Sequence, residues 1–119
     1  MKKTLVLGAS IKPNRYSHIA VNRLLDHQID TVAFGLQQGK IRKVQIKTNF
    51  DDFQNVHTIT LYISPKHQSG YIDKILHLAP KRVIFNPGTE NPELYEILDN
   101  KGVEVLEACT LVLLATGQY

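Results

Sequence analysis

The chain carries a single cysteine in 119 residues. That excludes an internal disulfide, and no CxxC or clustered Cys/His pattern points to a structural zinc site. Long apolar runs are missing too, and none approaches the length of a membrane-spanning helix. The opening "MKKTLVLGAS" follows its two lysines with only a brief apolar stretch, unlike a signal peptide. No repeat, low-complexity tract or linker interrupts the chain. Charge of one sign is only mildly in excess: Lys plus Arg exceed Asp plus Glu by 14 to 11, giving +3 and a pI near 9.0. An excess this small favours an anionic small molecule over nucleic acid, which calls for a dense basic face. The expected setting is the reducing cytoplasm, with neither membrane nor nucleic acid as partner.

What the chain does have is alternation. Residues 4–7 form a short apolar run ended by Gly8, suited to a strand buried on both faces. From Ser17, apolar residues recur at Ala20, Val21, Leu24 and Leu25, a one-sided helical stripe with Ser17 as the expected N-cap. Residues 31–34 read as a second strand. "TITLYI" (58–63) is a third, ended by Ser64 and Pro65. Tyr71, Ile72, Ile75, Leu76 and Ala79 give a second helical stripe before Pro80, and "RVIF" (82–85) a fourth strand. "NPELYEILDNKG" is punctuated as a helix, with Asn91 as N-cap, Pro92 at the first helical position and Gly102 just past the end. "VEVL" (103–106) is a fifth strand, and "CTLVLLA" fits helix or strand. Residues 36–57 are too polar for a full helix and read as a loop with a short strand near 44–46. Strands alternating with helices imply βαβ units and a mostly parallel sheet. The expectation is one α/β domain, residues 1–119, doubly wound.

In such sheets ligands bind beyond the carboxyl ends of the strands, where strand order reverses. The first strand-to-helix turn holds Gly8, Ala9, Ser10, Lys12, Pro13, Arg15 and Ser17. A helix N-terminus there presents unpaired N–H groups and about half a positive charge, which attract phosphate. Gly8 allows close backbone approach, the serines donate hydroxyls, and Arg15 has a fork suited to two phosphate oxygens. The turn is neither a Walker A loop nor GxGxxG, since the next glycine after Gly8 is Gly35. NAD would also want an acid at the end of the second strand. Phe34, Gly35 and Leu36 stand there instead, followed by the basic Lys40, Arg42 and Lys43. Basic groups after that strand point to an extra ribose phosphate, as in NADP or coenzyme A.

"GASIKPNRYSHIA" resembles the opening turn of the small CoA-binding proteins related to the N-terminal domain of the succinyl-CoA synthetase alpha subunit. Gly8, Ser10, Pro13, Arg15 and Ser17 match that family's pattern. "FNPGTENPEL" resembles its fourth turn and "VEVLEACTLVLL" its closing strand, cysteine and apolar tail. At the second strand end "AFGLQQG" replaces a usual Pro-containing stretch. The resemblance implies a Rossmann-like, three-layer domain with a five-stranded, mostly parallel sheet. It also implies CoA as the ligand, its pyrophosphate on the first helix N-terminus. Lys40 and Arg42 are then the nearest cations to the ribose phosphate. Ser64, Pro65, Asn86, Pro87 and Gly88, at later strand ends, would line the same crevice.

Other candidates are weaker. His18, His27, His57, His67 and His77 do not pair at metal-ligand spacing, so no metal site is expected. Cys109 follows the last strand and would face the crevice, where it could meet the CoA thiol. A lone Cys in an apolar run is more often core. Asp51 and Asp52, being adjacent, read as solvated. With no nucleophile beside a base, no catalytic residue is expected. The reading is a CoA or acyl-CoA binding module without catalysis, regulatory or carrier in role. The alternatives are a small NADP-binding oxidoreductase, or a subunit of one, and a scaffold with a vestigial site. A homodimer and a partner enzyme both stay open.

Overall fold

A computed structural model describes residues 2–119. The first apolar run forms β1 (Thr4–Leu7), with all four residues buried. Beyond Gly8 a turn leads into α1 (Tyr16–Asp26), whose apolar stripe at Ala20, Val21, Leu24 and Leu25 lies against the sheet. Then come β2 (Thr31–Phe34), β3 (Gly39–Ile41), β4 (Val44–Lys47) and a short 3-10 turn at Phe50–Asp52. β5 (Thr58–Leu61) is followed by α2 (Pro65–Gln68), a second 3-10 turn at Ser69–Tyr71, and α3 (Ile72–Leu78). β6 (Arg82–Phe85), α4 (Pro92–Asn100), β7 (Glu104–Glu107) and α5 (Thr110–Ala115) complete the chain. "CTLVLLA" is thus a helix preceded by its cap. Asn91 caps α4 as its spacing predicts, its side-chain oxygen accepting from the Leu94 amide.

The sheet has seven strands in the order β3-β4-β2-β1-β5-β6-β7, not five. Every neighbouring pair is parallel except β3–β4. The extra strands come from the polar stretch after β2. There Ile41, Val44 and Ile46 are buried while Lys40 and Gln45 are exposed, a period-2 alternation hidden among charges. Arg42 turns this hairpin with a positive φ of 54°. Ser17 corrects a second expectation. It is buried inside the first turn of α1, and Arg15 holds the N-cap position with no side-chain cap.

Two apolar layers sandwich the sheet. Val6, Val21, Leu24, Ala33, Ile46 and Leu114 pack under α1 and α5. On the other face Phe34, Phe50, Phe53, Ile75, Leu94 and Leu98 pack with the aromatic and helical elements there. Crossovers from β1 run one way and those from β5 the other. The order therefore reverses between β1 and β5, and the carboxyl ends of those two strands part around a crevice.

Candidate functional site

The crevice is a cleft of about 1170 Å³, slightly above the ordinary range for small-molecule sites. Its floor is the β1–α1 turn. The amides of Gly8 and Ala9 both donate to the Phe34 carbonyl, at 2.9 and 2.8 Å, tying that turn to the end of β2. Gly8 has φ +102°, and a Cβ there would come within 3.0 Å of the Tyr62 carbonyl oxygen. Only glycine lets the three strand ends approach so closely. Further along, the Lys12 amide donates to Ser10 Oγ (3.1 Å) and the Arg15 amide to the Lys12 carbonyl (3.1 Å). The ring Nδ1 of His18 meets the Ser10 carbonyl at 2.9 Å from within α1.

This turn brings Gly8, Ala9, Ser10, Lys12, Arg15 and Ser17 to the cleft, with Phe34 and Gly35 from β2. Ser64, Pro87 and Gly88 line the opposite wall. Tyr62, Ile63, His67, Gly70, Tyr71, Lys74 and Thr89 join them there, and Ile11, Tyr16, Leu36 and Gln37 form the near rim. None of these eleven was named as a site residue from the sequence. Three carry a signal in their exposure: Ile11, Tyr16 and Leu36 are 48%, 71% and 85% exposed, apolar bulk held in water at the cleft mouth. The wall opposite is braced by Gln68, only 1% exposed, which donates to the carbonyls of Ile63 and Thr89. Burial pushes the Tyr62 phenol up to about 12, and its hydroxyl has no hydrogen-bond partner among the described residues. The residue borders the cleft, but its neutral hydroxyl is buried beneath it.

Six expected site residues lie elsewhere. Pro13 and Pro65 are exposed outside the cleft lining, Pro65 as the first residue of α2. Asn86 is 2% exposed, and its polar atoms are committed inward. Its amide donates to Thr60 Oγ1 and the Leu61 carbonyl, and its oxygen accepts from the Thr110 amide. It locks β5, β6 and α5 together and has nothing to offer a ligand. Cys109 caps α5, half-buried, and does not line the cleft. Lys40 points out from the edge strand β3. Arg42 is at the far end of α1, paired with Asp26 at 2.7 Å and donating to the Asn22 carbonyl. The hairpin that contains it runs back toward the amino ends of the strands, away from the crevice.

The charged lining of the cleft is of one sign. Lys12, Arg15 and Lys74 line it, no Asp or Glu does, and none of the three makes an ion pair among the described residues. The N-terminal amides of α1, uncapped by any side chain, sit beside Lys12 and Arg15. The same residues include no group of three or more His, Cys, Asp or Glu able to hold a metal. No helix is long and apolar enough to cross a membrane.

Fold and cleft together define a doubly wound α/β domain with a cationic crevice at its topological switch point. The chain belongs to the CoA binding domain family, whose sequence profile matches residues 2–115. Among solved structures it is similar to a crystal structure described as that of an uncharacterized protein. The two share 45% identity at a TM-score of 0.96, over 100% of this chain and 98% of that one. A protein of Thermus thermophilus, cell-free ID.343, is similar at 20% identity and TM-score 0.87, over 99% of this chain and 90% of that one. The dinucleotide-forming acetyl-coenzyme A synthetase 1 of Ca. Korarchaeum cryptofilum contains a similar fold. It has 18% identity and TM-score 0.73, over 90% of this chain but 25% of that one. No curated protein matches the chain.

Proposed function

We propose that this chain binds coenzyme A or an acyl-CoA in the cleft, as a non-catalytic binding or regulatory module of the cytoplasm. One observation carries the reading: every charged side chain lining a cleft at the switch point is a cation, set beside an uncapped helix N-terminus. A pyrophosphate is the ligand part that such a site stabilises most, because amides, dipole and two flexible cations all act on the same oxygens. Membership of the CoA binding domain family supports CoA over other nucleotides. The missing acid at the end of β2 argues against NAD, whose ribose hydroxyls want one. The non-catalytic part is a reading of the lining: among the described residues no cleft serine hydroxyl is hydrogen-bonded to a His, Asp or Glu side chain, and Cys109 stands outside the cleft.

Thermal unfolding with CoA, NADP and NAD at equal concentration tests the ligand. A ligand at a hundred times its dissociation constant adds about 2.7 kcal/mol to stability. CoA is expected to raise the melting temperature most. A larger shift with NAD would sink the reading, and a larger shift with NADP would move it to the oxidoreductase alternative.

A further inference from the structure

If a nucleotide lies in the cleft, some group must meet its adenosine ribose, and the two cations nearest in sequence are misplaced for that task. Arg42 is held at the opposite end of the sheet by Asp26. Lys40 stands on β3, two strands out from β2, and does not line the cleft. In doubly wound folds the end of the second strand is where the ribose is read. That end is Phe34, and its ring leads directly to another cation. Phe34 packs on Phe50 with ring centroids 4.5 Å apart, and Tyr71 lies 5.6 Å from Phe34 and 5.9 Å from Phe50. The ammonium of Lys74, on α3, stands 5.4 Å from the centre of the Phe50 ring. Lys74 lines the cleft and is in no ion pair. Asp51 and Asp73 share a shallow recess with it behind Phe50, neither within ion-pair distance, and no carboxylate lines the cleft side.

We propose that Lys74 reads a phosphate carried on the adenosine ribose of the ligand, the 3′-phosphate of CoA or the 2′-phosphate of NADP. Sequence reasoning assigned this task to the β3 segment; the fold moves it to α3, delivered through the aromatic cluster at the end of β2. The inference rests on the proposed nucleotide reading of the cleft. The face of Phe50 favours an ammonium above it, which keeps the lysine head near β2 while leaving its protons free for an anion. An unphosphorylated ribose would present only hydroxyls there, for which a carboxylate, not a cation, is the fitting partner.

Calorimetric titration with two ligand pairs, CoA with dephospho-CoA and NADP with NAD, separates the possibilities. Lys74→Met keeps the apolar stem against Phe50 and removes the charge. It is expected to weaken CoA about tenfold or more, the scale of a charged hydrogen bond, and dephospho-CoA no more than about twofold. Lys74→Arg should recover most of the loss. The selectivity should shrink as salt rises, because the group is exposed. A selective loss within the NADP pair instead would keep the role of Lys74 and change the source of the phosphate. Equal losses within both pairs, no loss at all, or a selective loss from Lys40→Met and not from Lys74→Met would overturn the assignment while leaving the cleft a nucleotide site. A wild-type protein that binds no member of either pair overturns both the assignment and the function beneath it.

Discussion

The Ser10 carbonyl accepts a hydrogen bond from His18 Nδ1 across 2.9 Å, and this contact sets the shape of the turn that carries Lys12 and Arg15. Beyond the Gly8 and Ala9 amides on the Phe34 carbonyl, the turn has two further restraints: the Lys12 amide on Ser10 Oγ, and the Arg15 amide on the Lys12 carbonyl. A ring nitrogen facing a carbonyl must carry the proton, and it does so in both the neutral and the charged imidazole. His18→Ala is expected to weaken CoA binding by about 0.5–1.5 kcal/mol, the net value of one such bond. His18→Asn, which places an amide donor near the lost nitrogen, should recover most of it in the same titration. Unchanged affinity in His18→Ala would mean that the turn holds its shape unaided. Residue type alone did not reveal this role. From the sequence His18 is one of five unpaired histidines, and its partner is a backbone carbonyl eight residues earlier. Asn86 misled in the opposite direction. A polar residue at a strand end reads as ligand-facing, but here its side chain is spent on a buried hydroxyl, a carbonyl and an amide.

Elements meet at the cleft through glycines, and Gly35 shows what that requires. A Cβ on Gly35 would lie 2.4 Å from the Ala9 carbonyl oxygen and 3.0 Å from Ile46 Cγ2. The first of these is backbone of the anion turn, which cannot swing aside as a side-chain tip does. Gly35→Ala is thus expected to push the β1–α1 turn off the end of β2. Stability should fall by about 1–3 kcal/mol, the scale of overpacking, and CoA affinity with it. Thermal melts and titration of the variant check this, and wild-type values for both would show that the two turns are not in contact. Sequence patterning found β1, β2, β5, β6 and β7, and it found α4 with its cap. These segments carry short apolar runs with few polar interruptions, or strong punctuation. Of the β3–β4 hairpin the pattern gives only the short strand near 44–46; β3 and its pairing stay hidden because β3 buries only Ile41, and β4 only Val44 and Ile46, among lysines and glutamines. In sequence Lys40 and Arg42 stand just after the end of β2, whereas the hairpin carries Arg42 to the amino ends of the strands, where it pairs with Asp26.

Across the whole molecule the two ends of the sheet carry different chemistry. Alternation of strand and helix was enough to place a ligand crevice at the carboxyl ends, but nothing in the linear order shows which charges gather at the amino ends. There Arg82, only 5% exposed, donates through Nε to Thr58 Oγ1 and stacks on the Tyr119 ring, 4.3 Å from its centre. The Thr58 hydroxyl, which accepts from Arg82, also lies 2.7 Å from His57 Nδ1 and can either donate to that nitrogen or accept from it. Partial burial is the main cause holding His57 below its ordinary 6.5, and the cations of Arg82, Lys2 and Lys81 add to it. No carboxylate is among these causes to draw the charge back. In the unfolded chain the ring protonates normally, so between its folded and unfolded values the unfolded state binds more protons. Stability must then be fully present above about pH 6.5 and decline as pH falls through the lowered folded value. His57→Gln cannot titrate, and removes this part of the decline. Urea unfolding of both proteins at about pH 7.5 and about pH 5.5 is the measurement, with the unfolded histidine titrating between them. The wild type should lose more stability than the variant over that interval. Equal losses would assign the acid sensitivity to other groups, and a smaller loss in the wild type would mean that His57 is charged in the folded protein.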